Sequence, residues 1–272
     1  MKVGFIGFGE VASNLSKWLK DEGVESYTSL ENRSSKTKKL AEEYAANICP
    51  DNKTLAELSD ILISAVTPAE AVNVAEEVGK YVKGIYVDLN NISPQTVRKA
   101  LGNIENGKTV DAAIMGGIKK EGVKVQIIAS GRCASQFAGL NKYGLNIKIV
   151  NHDPGKAKAL KMLRSSYTKG VSALLLESLY SAYMMGLDKE FLENLERTEC
   201  PGFKNSAISR VKSSAIHSQR KAQEMDEIIN FMIEYGHIIM SKSTKEVFKD
   251  IYSKISHDKR YENYKELFES IK

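Results

Sequence analysis

The stretch VGFIGFGEVASNL, residues 3–15, decides how the chain is expected to fold. It joins a short apolar run to an amphipathic pattern through the motif Gly7-Phe8-Gly9-Glu10-Val11-Ala12. In such a motif the first glycine permits a tight turn, the second lets a pyrophosphate approach the backbone, and a small third residue permits close helix–strand packing. The N-terminus of the helix then faces the anion. The stretch therefore predicts a strand, a dinucleotide-binding turn and a helix, the alternative being a glycine turn without a ligand.

Short β-branched runs alternate with helical patterns up to about residue 150. The predicted strands are residues 2–7, 24–29, 61–66, 84–89, 108–114, 124–130 and 146–150. This alternation predicts an α/β fold of the Rossmann type, with a doubly wound, mainly parallel sheet. Beyond Asp153-Pro154, which suits the start of a helix, the spacing is helical to the end. We expect a dinucleotide-binding domain over 1–152 and an all-helical substrate and dimerisation domain over 153–272, whose tail from about 254 is a solvated helix.

Charge and cysteine content disfavour several classes of protein. The net charge is +5, from 39 basic and 34 acidic residues that are spread along the chain. A nucleic-acid binder gathers its basic residues in a patch, so the expected partner is a small anionic molecule. The three cysteines form no C-x-x-C pair, which argues against a disulfide framework or a metal site. No apolar run approaches the ~20 residues of a membrane span, and we expect a cytoplasmic protein that does not bind membranes.

The segment SLENRSS, residues 29–35, follows the second predicted strand and should lie near the adenosine ribose. A carboxylate at this place holds the ribose 2′-hydroxyl of NAD, whereas a cation suits the 2′-phosphate of NADP. Arg33 and Ser34 favour NADP, while Glu31 could serve NAD. The segment therefore favours NADP and leaves NAD as the alternative. The alternative without a ligand is that this segment is the solvated start of the next helix, capped by a serine.

Three further stretches follow predicted strands at the edge where an open α/β sheet binds ligands. They are Val66-Thr67-Pro68, Asn90-Asn91 and Met115-Gly116-Gly117. Taken singly, each also fits an ordinary strand-to-helix turn. We predict that the first two stretches contact the cofactor, and that Asn91 and the third stretch contact the substrate.

In this order, with a helical half behind them, the motifs resemble those of the β-hydroxyacid dehydrogenase family, which includes 3-hydroxyisobutyrate and 6-phosphogluconate dehydrogenases. The resemblance runs from residue 1 to about 185, and the later helices look like those of a variant branch. It implies a nicotinamide cofactor, a small hydroxyacid or related carbonyl acid as substrate, and a catalytic lysine. The family's substrate loop D-A-P-V-S-G-G stands here as DAAIMGG, residues 111–117. Met115 replaces the serine that contacts the substrate, which implies a different pocket.

The family pattern G-x-G-x-x-x-K-x-x-N-N, laid on residues 155–165, selects Lys161 as the general acid and base. Arg164 and Ser165 stand where the family has asparagines, and both are expected to contact the substrate. The spacing of Lys161, Arg164, Ser165, Thr168 and Ser172 places them on one helical stripe, beside an apolar stripe of Leu160, Leu163, Tyr167, Val171 and Leu174. The polar stripe is predicted to line a cleft. Substitution of Lys156 or Lys158 is predicted to be almost silent.

The stretch AIHSQRKAQEM, residues 215–225, is the candidate for specificity in the helical half. His217, Arg220, Gln223 and Glu224 would share one helical face, with the first two binding the acid end of the substrate. The alternative is a solvated stripe with a weak Arg220–Glu224 pair. Imine reduction is a second enzymatic hypothesis, although the family members specialised for imines lack the lysine. A protein that binds NADP without catalysis is the third. The resemblance implies a homodimer formed through the helical domain.

Overall fold

The computed structural model describes residues 1–31, 33–44, 46–256 and 261–271. Residues 2–151 contain an eight-stranded sheet in the order β3-β2-β1-β4-β5-β6-β7-β8. The strands are β1 (Lys2–Ile6), β2 (Glu25–Ser29), β3 (Asn47–Cys49), β4 (Ile61–Ser64), β5 (Ile85–Asp88), β6 (Thr109–Ile114), β7 (Gln126–Ser130) and β8 (Asn146–Asn151). All neighbours are parallel except β6 and β7. The predicted α/β fold with a mainly parallel sheet is confirmed.

Strand β1 lies at the centre of the sheet, where the strand order reverses. It pairs with β2 on one side and with β4 on the other. Phe5 packs into the apolar cluster on one face and Ile6 into the cluster on the opposite face, as the two-residue period of a strand requires. Both faces are therefore buried, and the carboxyl ends of β1, β4 and β5 meet at one edge. This is the edge where a doubly wound sheet binds ligands.

Among the described residues, seven α-helices accompany the sheet before the chain turns fully helical. They are α1 (Glu10–Asp21), α2 (Ser35–Glu43), α3 (Asn52–Leu58), α4 (Ala71–Val78), α5 (Pro94–Gly102), α6 (Ile118–Glu121) and α7 (Ala134–Ala138). Ser34, Asp51 and Ser93 cap three of them by accepting a backbone N–H three residues on. These caps fix where the loops at the sheet edge end.

The C-terminal part consists of helices around a second apolar core. They are α8 (Lys156–Met184), α9 (Asp188–Thr198), α10 (Phe203–Ile216), α11 (Ser218–Met232), α12 (Ile239–Lys254) and α13 (Tyr264–Glu269). Leu179, Val211, Met225, Phe248 and Phe268 are fully buried members of that core. Within the described ranges, no helix combines the length and the apolar character that crossing a bilayer requires.

The chain divides into two compact units, Met1–Lys161 and Met162–Lys272. The sequence placed the boundary at 152/153, before α8, whereas the units meet inside α8. The reason is that the first turn of α8 belongs to the sheet unit, where Ala157 and Lys158 are buried. We call Met1–Lys161 the sheet unit and Met162–Lys272 the helical unit.

The prediction that the C-terminal tail is a solvated helix is wrong for residues 261–271. Tyr261, Tyr264, Leu267, Phe268 and Ile271 are buried in the core of the helical unit. The Tyr264 hydroxyl donates to the buried carboxylate of Asp188 at 2.5 Å. The many charges of the tail concealed an apolar face, which is short because α13 has six residues.

Candidate functional site

The glycine loop between β1 and α1 has the geometry that the sequence predicts. Gly7 has φ +82°, and a Cβ there would lie 2.6 Å from the carbonyl oxygen of Ala65. Both its conformation and its surroundings therefore require glycine. Gly9 is the N-cap of α1, and a Cβ there would meet no described atom within 4 Å. The packing of the protein does not explain this second glycine, but a close approach by a ligand to its backbone would.

The side chains of the loop divide between the core and the surface. Phe8 is buried against Phe5, with the ring centroids 6.2 Å apart, so any contact it makes with a cofactor comes from its backbone. Val11 is half-buried, and Ala12 is fully buried in the same cluster. Glu10 is exposed and forms an ion pair of 2.8 Å with Lys119. The hydrogen bond and the charge of Glu10 raise the pKa of Lys119.

The loop after β2 presents the candidate residues for cofactor choice. The guanidinium Nε of Arg33 is buried and has no hydrogen-bond partner among the described residues. The Ser34 side chain caps α2 by accepting the N–H of Thr37. Glu31 is exposed. Because a buried guanidinium nitrogen is seldom left without an acceptor, Arg33 is suited to an anion at this place.

The loops after β4 and β5 are joined by Asn90, a residue predicted to contact the cofactor. Asn90 is buried; its Oδ1 accepts the N–H of Val66 at 2.7 Å, and its Nδ2 donates to Ser64 at 3.0 Å and to Asp88 at 2.8 Å. Its side chain is thus committed to holding the loop that Val66 begins. The neighbouring Thr67, Pro68 and Asn91 are exposed at the same edge.

The prediction for Lys158, that its substitution is almost silent, differs most from the structure. Its side chain is 1% exposed, and its ammonium lies 3.2 Å from Asp88 Oδ1 and 3.5 Å from Asp111 Oδ1. It also donates to the main-chain carbonyls of Asp88 and Ala112. A lysine that holds two buried carboxylates cannot be replaced silently, so that prediction is wrong. The signal was present in the two aspartates of adjacent strands, Asp88 in β5 and Asp111 in β6, which leave a buried negative charge to be paired.

Asp111 fixes the start of α8 on the sheet. Its Oδ2 accepts the N–H groups of Gly155 at 2.9 Å and Ala157 at 3.0 Å, and the hydroxyl of Ser130 at 2.9 Å. The carboxylate therefore takes the role of an N-terminal cap supplied from β6. It places the first turn of α8, and with it Lys161 one turn beyond Lys158.

The loop after β6 departs from expectation. The backbone amide of Gly117 donates to the carboxylate of Glu121 at 3.0 Å, which also lies over Gly116. The sequence led us to expect these amides to face an anion from outside, whereas at Gly117 an internal carboxylate is bound. The reason is the one-turn helix α6, which folds Glu121 back over the loop. Met115 is half-buried and packs against the small cluster of Ala113, Ile128 and Ala157.

The candidate residues of α8 differ in exposure. Lys161 and Ser165 are partly exposed and Arg164 is exposed. Farther along the predicted polar stripe, the buried hydroxyl of Ser172 donates to the carbonyl of Thr168 at 2.8 Å. The neighbouring apolar stripe is largely exposed, since Leu160, Leu163, Tyr167 and Leu174 are 40%, 48%, 72% and 58% accessible.

The stretch 215–225 is not one continuous helix. α10 ends at Ile216 and α11 begins at Ser218, so His217 is the N-cap of the helix that carries Arg220, Gln223 and Glu224. His217 and Arg220 both line a cavity of about 390 Å³ in the helical unit, with Gln219, Tyr252 and Tyr261. Arg220 Nε lies 3.7 Å from Glu224. Ala222, Met225 and Ile228 are buried on the packed side, as predicted.

Comparison with known proteins finds relatives along almost the whole chain. An uncharacterised 28.5 kDa protein of Methanothermus fervidus is 48% identical over 252 residues, which are 92% of this chain and 99% of the relative. The structure of a conserved protein of unknown function, described as similar to 3-hydroxyacid dehydrogenases, has 47% identity and a TM-score of 0.85 and covers 93% of this chain and 97% of its own.

More distant structures share the fold. A 3-hydroxyisobutyrate dehydrogenase of Mycobacterium tuberculosis matches with a TM-score of 0.78 at 11% identity, over 93% of this chain and 94% of its own. An imine reductase of Myxococcus stipitatus in complex with NADP+ matches with a TM-score of 0.59 at 17% identity, over 93% and 94% of the two chains.

Two family models match separate parts of the chain. The model described as "NADP oxidoreductase coenzyme F420-dependent" matches residues 2–91, and a domain of unknown function, DUF1932, matches residues 182–251. The first covers the glycine loop and the edge of β1, β4 and β5, and the second lies in the helical unit. Together with the full-length relatives, they show that the chain belongs to the β-hydroxyacid dehydrogenase-like family, in a branch with a divergent C-terminal helical domain.

Proposed function

We propose that the protein is an NADP-dependent oxidoreductase that acts on a small hydroxyacid or a related carbonyl acid. The observation that carries the proposal is the glycine loop, where Gly7 is required by the fold while Gly9 leaves open space at the N-terminus of α1. A pyrophosphate fits that place because it needs close approach to backbone amides and the positive end of a helix. The solved imine reductase with NADP+, which shares the fold, agrees with a nicotinamide cofactor.

Arg33 supports the preference for NADP. Its buried Nε, without an acceptor among the described residues, is suited to a 2′-phosphate. Arg33→Ala should weaken NADPH binding by about 1.5–3 kcal/mol and leave NADH binding nearly unchanged. Fluorescence titration of both cofactors measures this, with Lys38→Ala as the control for loss of a nearby exposed cation. Equal losses for both cofactors would refute the role of Arg33 and make Glu31 the better candidate.

Lys161 is proposed as the general acid and base. Bound nicotinamide would supply the hydride donor or acceptor. The amine of Lys161 takes the hydroxyl proton when the alcohol is oxidised and returns it when the carbonyl is reduced. The Asp111 cap and the Lys158 ion pairs position Lys161, since they fix the first turn of α8 in the sheet unit.

Lys161→Ala should reduce turnover about 100-fold or more while NADPH affinity stays the same. Lys156→Ala, at an exposed position on the same helix, is the matched control and should be fully active. A panel of small hydroxyacids, their carbonyl forms and cyclic imines, followed by NADPH formation or consumption, tests the reaction class. Turnover of imines alone would replace the hydroxyacid proposal by imine reduction. Tight NADPH binding with no turnover would favour a non-catalytic protein.

In this proposal His217 and Arg220, which line one cavity of the helical unit, supply contacts to the acid group of the substrate. Arg220→Ala should raise the substrate KM at least about tenfold without a change in cofactor affinity, a loss expected of a charge-assisted hydrogen bond. An unaltered KM would direct the search for the acid-binding residue to Arg164.

We also propose that the chain forms a homodimer through the helical unit. The exposed stripe of Leu160, Leu163, Tyr167 and Leu174 follows one face of α8, and exposed rows of large apolar side chains mark association surfaces. A second copy of α8 would present the same stripe and bury it about a twofold axis. Sedimentation of the wild type should give a dimer, and Leu163→Asp should give a folded monomer. A monomeric wild type at micromolar concentration would overturn this proposal.

A further inference from the structure

Lys221 in the helical unit is a half-buried lysine without an ion-pair partner among the described residues. It lies on α11, and its ammonium donates to the hydroxyl of Ser214 at 2.6 Å. It also lies 5.5 Å from the centroid of the Phe248 ring. No carboxylate of the described residues comes within ion-pair distance of it. A hydroxyl and an aromatic face stabilise an ammonium less than a carboxylate does.

The charges around Lys221 are mostly of its own sign. Lys169, buried on α8, pairs with Glu224 at 3.0 Å, and Arg220 reaches the same carboxylate at 3.7 Å. Arg210 on α10 also repels the ammonium of Lys221, whereas Glu224 attracts it. Two of these cations, Lys169 and Arg220, therefore already share the carboxylate of Glu224, which is not paired with Lys221. The site lacks negative charge rather than positive charge.

The pKa of Lys221 reflects this imbalance. Burial, followed by the charge of Lys169, lowers the pKa of Lys221 to about 8. Glu227 is a second carboxylate nearby; burial and the neighbouring Glu224 raise the pKa of its carboxyl group, and the charge of Lys169 acts in the opposite direction. An anion placed at Lys221 would stabilise its ammonium and reverse the effect of Lys169.

Hydrogen-bond donors are available beside the lysine. The hydroxyl of Ser218 is fully buried and has no hydrogen-bond partner among the described residues. It lies one turn before Lys221 on α11, hence on the same side of the helix. No side chain caps the N-terminus of α11, a helix of 15 residues. This helix end adds amide donors and a partial positive charge to the same turn.

We propose that Lys221 and Lys169, with the hydroxyl of Ser218 and the N-terminus of α11, form a binding site for the carboxylate or phosphate group of a small molecule. The site lies wholly within the helical unit. Anion binding at this site requires neither bound nicotinamide nor hydride transfer, so this proposal can fail or succeed independently of the proposed enzymatic activity. If both hold, the site is a source of specificity for an acidic substrate or effector.

Labelling of the wild-type protein tests the site without any mutation. The full chain, free of cofactor, is treated with trace acetic anhydride between pH 6 and 10, and the acylation of each lysine is measured by peptide mass spectrometry. Saturating inorganic phosphate should reduce acylation of Lys221 at pH 7.5 by about tenfold, which corresponds to a pKa rise of one unit. Exposed Lys249, which pairs with Glu246 at 3.0 Å, is the control and should not change. Acetate replaces phosphate in a parallel series.

The two anion series decide between the possible ligand groups. Protection by phosphate alone identifies a phosphate site, protection by acetate alone identifies a carboxylate site, and protection by both supports the shared chemistry. If neither anion protects Lys221, or if Lys249 is protected equally, the proposal is overturned.

A substitution gives the second, independent test. Lys221→Met keeps the length and apolar stem of the side chain over Phe248 and removes an unpaired charge, so the variant should fold. Phosphate or acetate, whichever protects the wild type, should raise the thermal midpoint of the wild type with increasing concentration. The rise should be lost in Lys221→Met and retained in Lys249→Met, which loses the same charge on α12. A rise in all three proteins would mean nonspecific salt stabilisation and would overturn the site.

Discussion

The two units of the molecule each bury a lysine, and they treat its charge in opposite ways. In the sheet unit, Lys158 is fully buried between the carboxylates of Asp88 and Asp111. In the helical unit, half-buried Lys221 faces a hydroxyl, an aromatic ring and mainly other cations. A buried charge is stable in a folded protein when it is paired and hydrogen-bonded. Lys158 meets that condition with the protein alone, and Lys221 would meet it with a bound anion.

The difference separates structural from binding lysines where residue type does not. The Lys158 network contains two carboxylates for one ammonium, and the excess negative charge of Asp111 is met by N–H groups at the start of α8. Asp88, Asp111 and Ser130 of this network lie on β5, β6 and β7, and its N–H donors lie at the start of α8. The cluster of Lys169, Lys221 and Glu224 has two ammoniums for one carboxylate. Beside it, the buried hydroxyl of Ser218 has no hydrogen-bond partner among the described residues.

The largest effect that would test this contrast is the loss of the paired lysine. Lys158→Met should lower the free energy of unfolding by about 3–5 kcal/mol, because it leaves two carboxylates buried without their cation. Urea denaturation at pH 7 measures the loss. Lys221→Met should not lower the stability at pH 7 and should raise it, since the lowered pKa of Lys221 means that its ammonium destabilises the folded chain, and no described carboxylate depends on it as an ion-pair partner. Exposed Lys156→Met is the surface control. A loss in Lys221→Met as large as that in Lys158→Met would end the contrast.

How far the sequence predicted the fold follows from the length and burial of each element. Seven of the eight strands were recognised because they have four to six residues, most of them in apolar or β-branched runs, whereas β3 has three residues and only Cys49 buried. The antiparallel pairing of β6 and β7 could not be predicted from residue pattern, since a strand looks the same in either direction. The glycine loop was recognisable because the backbone itself requires glycine at Gly7.

The candidate site was less predictable, because the contacts of long side chains are made with residues that are distant in the sequence and are set by the three-dimensional fold. Lys156, Lys158 and Lys161 lie within six residues, yet the first is exposed and the second is sealed by Asp88 and Asp111, 70 and 47 positions away. The same limit explains Glu121, which folds back onto Gly117 through α6. The helical spacing in α8 distinguished a polar from an apolar stripe, but polarity does not determine which stripe is buried. In the structure the apolar stripe is the more exposed of the two.

A smaller effect should follow when the sheet-unit network loses a hydroxyl instead of its cation. The Ser130 hydroxyl donates to Asp111 at 2.9 Å and accepts the N–H of Ala157 at 3.0 Å. Ser130→Ala should cost about 1.5–3 kcal/mol of unfolding free energy, the range for a buried hydrogen bond to a charged group. Urea denaturation again gives the value, and Ser35→Ala on the exposed first turn of α2 is the control. A cost within error of that control would mean that Asp111 does not depend on its hydrogen bonds.

The pH dependence of stability should differ between the units in a defined direction. The pKa of Lys221 is lowered to about 8 in the folded chain from its ordinary 10.5, so between these values the unfolded chain binds more protons than the folded one. Stability therefore rises with pH across this window, and the contribution is lost as the pH falls through 8. The unfolding free energy of wild type minus that of Lys221→Met should thus increase from pH 7 to pH 9.5. Because both proteins contain the same tyrosines, the effect of tyrosine titration on the unfolding free energy cancels in this difference. A flat difference would contradict an unpaired Lys221.

The smallest effect on stability should come from Ser214, the hydrogen-bond partner of Lys221. Its hydroxyl is the neutral counterpart of what Asp111 supplies to Lys158, and a half-buried ammonium that loses it can turn to water or lose its proton. Ser214→Ala should therefore cost no more than about 1 kcal/mol, the net contribution of an ordinary hydrogen bond. The informative measurement is acylation of Lys221, because loss of the acceptor should move its pKa still lower and speed labelling at pH 7.5, whereas phosphate should still protect it. Faster labelling that phosphate no longer slows would place Ser214 among the groups that hold the anion site together, and unchanged labelling would mean that this hydroxyl does not stabilise the charge on Lys221.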